Sequence, residues 1–184
     1  MSDDRRQAIL DAAIHVMAAQ GLSAPTATIA KQAGVANGSL FTYFATKAEL
    51  WNALYVELKT EMADASGRSF DAAADPKVTL ELALAGWLNW AVEHPERRRA
   101  LGLLGTSDEI TQESLRAGHT AMAPFAQLIE RCRANGPMRD VSLGFVTALM
   151  TATAEATIDF IQNDPANADL HARTGFEALW RMIA

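Results

Sequence analysis

Apolar residues recur along this chain at intervals of three and four, and sustained alternation is nearly absent. That spacing lines up one face of an α-helix, whereas alternation would line up one face of a strand. Ile9, Ala13, Val16 and Met17 form the first stripe, over residues 3–20, and Gly21 ends it. Two short pieces follow. One starts near residue 26 and carries Ile29, Ala30 and Ala33; the other covers 38–44 and carries Leu40 and Phe44. Trp51, Leu54, Tyr55, Leu58 and Met62 mark a longer helix that opens at Thr46, with Glu49 three residues on as a capping box, and ends near Gly67. Residues 66–75 read as a linker. Asp75 and Pro76 then read as an N-cap followed by a first-turn proline, opening a helix with Leu80, Leu84, Trp87, Leu88 and Ala91 on one side. A short helix spans about 95–104. Thr106 and Glu109 suggest a second capping box before a helix with Leu115, Met122, Phe125, Ile129 and Cys132. Pro124 lies inside that last pattern, which predicts a kink or a division there. Two more helices, 140–162 and 168–183, complete the chain. The reading is all-α, with about nine helices.

The stretch 26–47, TATIAKQAGVANGSLFTYFATK, is more specific than its periodicity. Gly34 stops the first short helix by accepting the left-handed conformation. Leu40 and Phe44, four apart, can pack the second back onto the first, and Ala30 lets the two helices cross closely. This is the helix-turn-helix arrangement that places a recognition helix in the DNA major groove.

The spelling from Ile29 to Leu50 resembles the N-terminal signature of TetR-type transcriptional regulators: an alanine-glycine-valine turn, then Gly38, Ser39, Leu40, Phe41, Thr42, Tyr43 and Phe44, then Lys47. The resemblance covers about the first quarter of the chain. It implies a helix-turn-helix DNA-binding domain over residues 1–47 and a helical ligand-binding and dimerisation domain over 48–184. It also assigns DNA contacts to Thr26, Thr28, Asn37, Gly38, Ser39, Phe41, Thr42, Tyr43 and Lys47. Ser39 and the free N–H groups at a helix start suit phosphate. The Tyr43 hydroxyl lies one position off the core face and can do the same. Thr42 and Asn37 are best placed to read base edges, Thr42 also by methyl contact with thymine. Lys47 sits at a helix N-terminus, where a cation is mildly unfavourable, so an opposing phosphate would explain it. Ala27 departs from the polar residue common at that position. The competing readings are core packing for Phe41 and Tyr43 and simple capping for Ser39. Arg5 and Arg6 read as a solvated end that could also reach a phosphate.

Charge complicates this picture. The chain of 184 residues carries a formal net charge of -6. Residues 1–50 hold four bases (Arg5, Arg6, Lys31, Lys47) and four acids (Asp3, Asp4, Asp11, Glu49), so the DNA-facing part is neutral rather than basic. No arginine lies in the recognition helix, which removes the bidentate arginine–guanine contact. Affinity should then come from a few placed cations, helix N-termini and neutral donors. A single cysteine, Cys132, allows no internal disulfide, and neither a signal segment nor a membrane-length apolar run appears, so the expected location is cytoplasmic.

The C-terminal part, by resemblance, dimerises and holds a ligand cavity. Ala148, Ala152, Ala154 and Ala156 permit close helix approach, and the last two predicted helices could form a four-helix seam across a twofold axis. Trp87, Trp90, Met122, Phe125, Met150 and Phe160 are candidate cavity residues, with simple core packing as the competing reading. Glu155, if turned inward, would select a cationic ligand. Phosphate loop, nucleophile elbow, zinc cluster and Glu-x-x-His pair are all absent from the sequence, so neither an enzyme nor a metal or cofactor site is expected. The expected function is a ligand-responsive repressor that binds a palindromic operator as a homodimer and is released by a small-molecule effector. Two alternatives remain: a DNA-binding protein without small-molecule input, and an all-α interaction module that has lost DNA binding.

Overall fold

The computed structural model describes residues 2–67, 70 and 73–184, with the side chains of Ser2 and Asp3 excepted. Residues 68, 69, 71 and 72 of the expected linker lie outside the described residues, as does Met1. Among the described residues there are ten α-helices, one 3-10 turn and no strand. In chain order these are α1 (Ser2–Gln20), α2 (Thr26–Gln32), α3 (Asn37–Tyr43), α4 (Lys47–Ala65), α5 (Pro76–Glu93) and α6 (Pro95–Gly105). They continue with α7 (Gln112–Ala121), α8 (Ala123–Arg133), α9 (Leu143–Asn163), the 3-10 turn Pro165–Asn167 and α10 (Ala168–Ile183).

Packing divides the chain into two compact units that interleave in sequence. The first takes residues 1–60 and 94–120, the second residues 61–93 and 121–184. The dividing point between Thr60 and Glu61 falls inside α4.

In the first unit, α1 packs against both α2 and α6, and α2 against α3. Its core is built from Ile9, Leu10, Met17, Ile29, Leu40, Phe44, Leu50, Trp51 and Leu54, each at most 2% exposed. Gly21 (φ 75°) and Gly34 (φ 68°) both take left-handed conformations at helix ends. At Gly34 the end is a full Schellman motif: the Val35 N–H reaches Ala30 O at 3.0 Å and the Gly34 N–H reaches Lys31 O at 3.2 Å. The turn direction, and hence where α3 emerges, is set there. Two side-chain contacts join α6 to α1: Arg97 pairs with Asp11 at 2.8 Å, and His15 Nδ1 lies 3.0 Å from Glu96 Oε1.

In the second unit, α9 packs along α10, and α5 lies against α8, α9 and α10. Gly175 of α10 meets α9 so closely that an added Cβ would lie 2.3 Å from Thr157 Oγ1. Arg133 is 6% exposed and organises the α8–α9 connection. It donates to Met138 O at 2.6 Å and Val141 O at 2.6 Å, and pairs with Glu130 at 2.6 Å. Glu130 is thereby held below the usual carboxylate range.

Three differences from the sequence reading have physical causes. The helix expected around Pro124 is two helices, which brings the count to ten. Proline lacks the N–H and its ring crowds the carbonyl four residues back, so α7 ends at Ala121 and Pro124 becomes a first-turn residue of α8. The second capping box is not at Thr106 and Glu109. Thr106 Oγ1 donates back to Leu103 O, and the Glu109 N–H goes to Ser107 Oγ. The cap of α7 is Thr111, whose Oγ1 accepts from the Ser114 N–H at 3.2 Å. Finally, α9 starts at Leu143, later than expected, because Ser142 caps it by accepting from the Phe145 N–H. The first capping box does form at α4: the Glu49 N–H donates to Thr46 Oγ1 at 3.0 Å, and Glu49 Oε2 accepts from the Ala45 N–H at 2.8 Å.

Candidate nucleic-acid interface

Helix α3 has seven residues and two kinds of position. Leu40 is fully buried, and Phe44 directly after the helix is 2% exposed, so these two fasten it to the unit. Asn37, Gly38, Ser39, Phe41 and Thr42 are all exposed, and Tyr43 is half-buried. Phe41 at 42% exposure does not pack in the core, which answers the competing reading of that ring. Tyr43 remains at the margin, with its ring partly covered.

The N-terminus of α3 has no side-chain cap. Ala36 occupies the N-cap position, and Ser39 is the third residue of the helix rather than its cap. Helix α2 likewise begins after Pro25 with no side-chain cap. Thr26 and Thr28 are half-exposed on its first turn and Ala27 is exposed. Both short helices therefore begin without a side-chain cap, in the same turns that carry the polar residues singled out in the sequence. Such an arrangement suits phosphate oxygens, with hydroxyls and an amide beside it to meet base edges.

Lys47 is half-buried at the first position of α4, and its Nζ lies 5.4 Å from the ring centroid of fully buried Trp51. A cation at a helix start costs about 0.3–1 kcal/mol. The aromatic face returns about 0.5–1 kcal/mol at a partly exposed site. Trp51 thus offers a reason for Lys47 besides an opposing phosphate. The four-residue spacing of the two was visible in the sequence. A second cation–ring contact was not: the Arg6 guanidinium carbon lies 5.2 Å over the Phe44 ring.

The seven residues proposed for a ligand cavity all belong to the second unit. Trp87, Trp90, Phe125 and Met150 are 2–8% exposed and packed. Met122 is half-exposed at the α7–α8 break, and Glu155 is half-buried. The Trp90 indole N–H points at Glu61 Oε2 across 3.4 Å. An open cavity of about 360 Å³ lies between α5 and α10, floored by Leu84, Leu88 and Phe176 and edged by Glu81, Asp169 and Arg173. None of the seven lines it.

Helix α9 presents an outward stripe at spacings of three and four: Phe145, Ala148, Ala152, Ala156 and Phe160, all exposed. Its aromatic ends are 55% and 62% exposed, and Leu170 on α10 is 53% exposed. No helix among the described residues is long and apolar enough to cross a membrane.

Residues 9–54 match the family model described as bacterial regulatory proteins, tetR family. The chain is similar to the crystal structure of a protein described as a tetR family transcription regulator from Shewanella sp. PV-4, with 28% identity over 96% of both chains and a TM-score of 0.83. A TetR family transcription regulator from Marinobacter aquaeolei VT8 gives a TM-score of 0.87 at 23% identity, covering 100% of this chain and 97% of that one. The transcriptional regulator FadR from Bacillus subtilis, solved in complex with stearoyl-CoA, gives 0.71 at 19% identity, covering 97% and 99%. The last two share the fold.

Proposed function

We propose, from the family model matched by residues 9–54 and the likeness to tetR family regulators, that the chain is a TetR-type repressor that binds a roughly palindromic operator as a homodimer and is released by a small molecule. The observation that carries the reading is α3: a short helix fastened by Leu40 and Phe44, uncapped at its N-terminus, with Asn37, Gly38, Ser39, Phe41 and Thr42 turned to solvent. Those residues, with Thr26, Thr28, Tyr43 and Lys47, form the proposed DNA contacts. The proposed division of labour assigns DNA to residues 1–47 and dimerisation and effector binding to 48–184. The exposed stripe of α9, continued by Leu170, Thr174 and Ala178 of α10, supports a seam between two copies. Two recognition helices would then sit about 34 Å apart, one DNA turn. An effector that prefers a different separation would lower operator affinity, and α4, which both packing units share, would carry the shift.

The FadR structure in complex with stearoyl-CoA supports a small-molecule input. The rival reading, DNA binding without an effector, is supported by the close packing of Trp87, Trp90, Phe125 and Met150. Selection from random duplexes with the intact protein tests the DNA half. An enriched palindrome is expected, and failure to enrich any sequence would sink it. A thermal-shift screen followed by operator release tests the effector half; compounds that stabilise the protein but never release the selected duplex would favour the rival.

A further inference from the structure

We infer that Arg6 is a phosphate-contacting residue, so that the DNA interface extends from α3 and Lys47 onto the start of α1; this rests on α3 being the recognition helix. Arg6 is exposed, yet its guanidinium is held 5.2 Å over the ring of Phe44. Phe44 is the residue that follows Tyr43 and closes α3. A cation near the N-terminus of the chain is thereby fixed beside the end of the recognition helix, although 38 positions separate Arg6 from Phe44 in sequence. An aromatic face attracts a guanidinium without neutralising it, and a phosphate can still take its planar N–H donors.

The acids of the same unit sharpen the point. Asp11 is paired with Arg97, Glu49 accepts the Ala45 N–H, and Glu57 accepts from Gln7. Among the described residues Arg6 and Lys47 make no ion pair; each rests on a ring instead. The even count of four bases and four acids in residues 1–50 therefore does not describe where cations stand free of ion pairs around α3. Two of those four acids, Asp11 and Glu49, are engaged in the α1–α6 contact and in capping, while Arg6 and Lys47 near α3 keep their charge for an outside partner. The partner whose chemistry fits is the sugar-phosphate backbone of the duplex that α3 reads.

The test is the salt dependence of binding to the duplex selected by the parent protein, followed by fluorescence anisotropy between about 50 and 200 mM salt. Removing one cation–phosphate pair lowers the slope of log affinity against log salt by about 0.9, so Arg6→Gln in a dimer should lower it by about 1.8. Arg6→Lys keeps the charge and should keep the parent slope. Both variants should retain the parent thermal midpoint, since the side chain is exposed. An Arg6→Gln slope equal to the parent's overturns the inference and leaves the α3 reading intact. A parent protein that selects no duplex removes both.

Discussion

At the scale of single residues, the interface depends on separating what holds α3 from what it offers. Leu40 and Phe44 are buried, Asn37, Ser39 and Thr42 are exposed and belong to the proposed contacts, and Tyr43 lies between the two groups. Its ring is partly covered, so truncation to alanine would confound packing with DNA binding, whereas Tyr43→Phe deletes only the hydroxyl. If that hydroxyl donates to a phosphate, its loss should cost about 1.5 kcal/mol or more per half-site, roughly tenfold in affinity. The thermal midpoint should not move. A gel shift with parent affinity would remove Tyr43 from the interface. Cys132 provides a residue-level test of the second unit. Burial pushes its thiol up to about 11, and its Sγ donates to Pro76 O at 3.5 Å. The thiolate is the reactive form, so the folded protein should resist iodoacetamide at neutral pH and react only when unfolded. The same shift gives a sign for stability. Between the ordinary thiol range and about 11 the unfolded chain ionises first, so stability is intact below that window and falls as pH rises through it. Rapid labelling of the native protein would show that the α5–α8 packing around Cys132 is open.

At the scale of elements, legibility followed locality. The helix-turn-helix could be read because its determinants lie within one or two turns of each other. Gly34 ends α2 in a Schellman motif, Leu40 and Phe44 share a face, and Thr46 and Glu49 cap α4. Pro124 announced its break for the same reason. The 106–111 region misled because its partner is distant: Asn52 on α4 donates to Glu109 O and accepts from the Thr111 N–H, both at 2.8 Å, and so moves the cap to Thr111. Arg6 on Phe44 escaped notice likewise. Candidate cavity residues were chosen by type, and residue type does not distinguish a packed tryptophan from a lining one. Gly175 shows how tightly such tertiary packing is set. Alanine there would bring Cβ against Thr157 Oγ1, a buried hydroxyl already donating to Thr153 O. Gly175→Ala should destabilise by about 1–3 kcal/mol through overpacking of α9 on α10. Adding Thr157→Ala should recover part of that loss, because the clash and its relief lie at one point of packing. Chemical denaturation of the two single variants and the double measures the coupling; strictly additive effects would contradict the close approach.

At the scale of the whole molecule, a net charge of -6 and an α3 without arginine leave the proposed contacts little affinity for one half-site. Two half-sites read together raise the effective affinity by about 10²–10⁴ over either alone. Operator binding is therefore the most sensitive measure of the proposed seam. Ala152 lies at the middle of the α9 stripe, exposed in the single chain, between Ala148 and Ala156 and flanked at greater distance by Phe145 and Phe160. A long cation at that point has room in a monomer but none between two closely packed helices, and it would meet its own copy across a twofold axis. Ala152→Arg should leave helical content unchanged, convert the protein to a monomer by light scattering, and lower operator affinity by about a hundredfold or more. The proposed DNA contacts would be intact, so binding at high protein concentration should keep the parent sequence preference. A variant that stays dimeric with parent affinity would place the seam away from this face of α9. A monomer with parent affinity would instead show that one copy of α3 suffices, and the argument from scarce charge would fail.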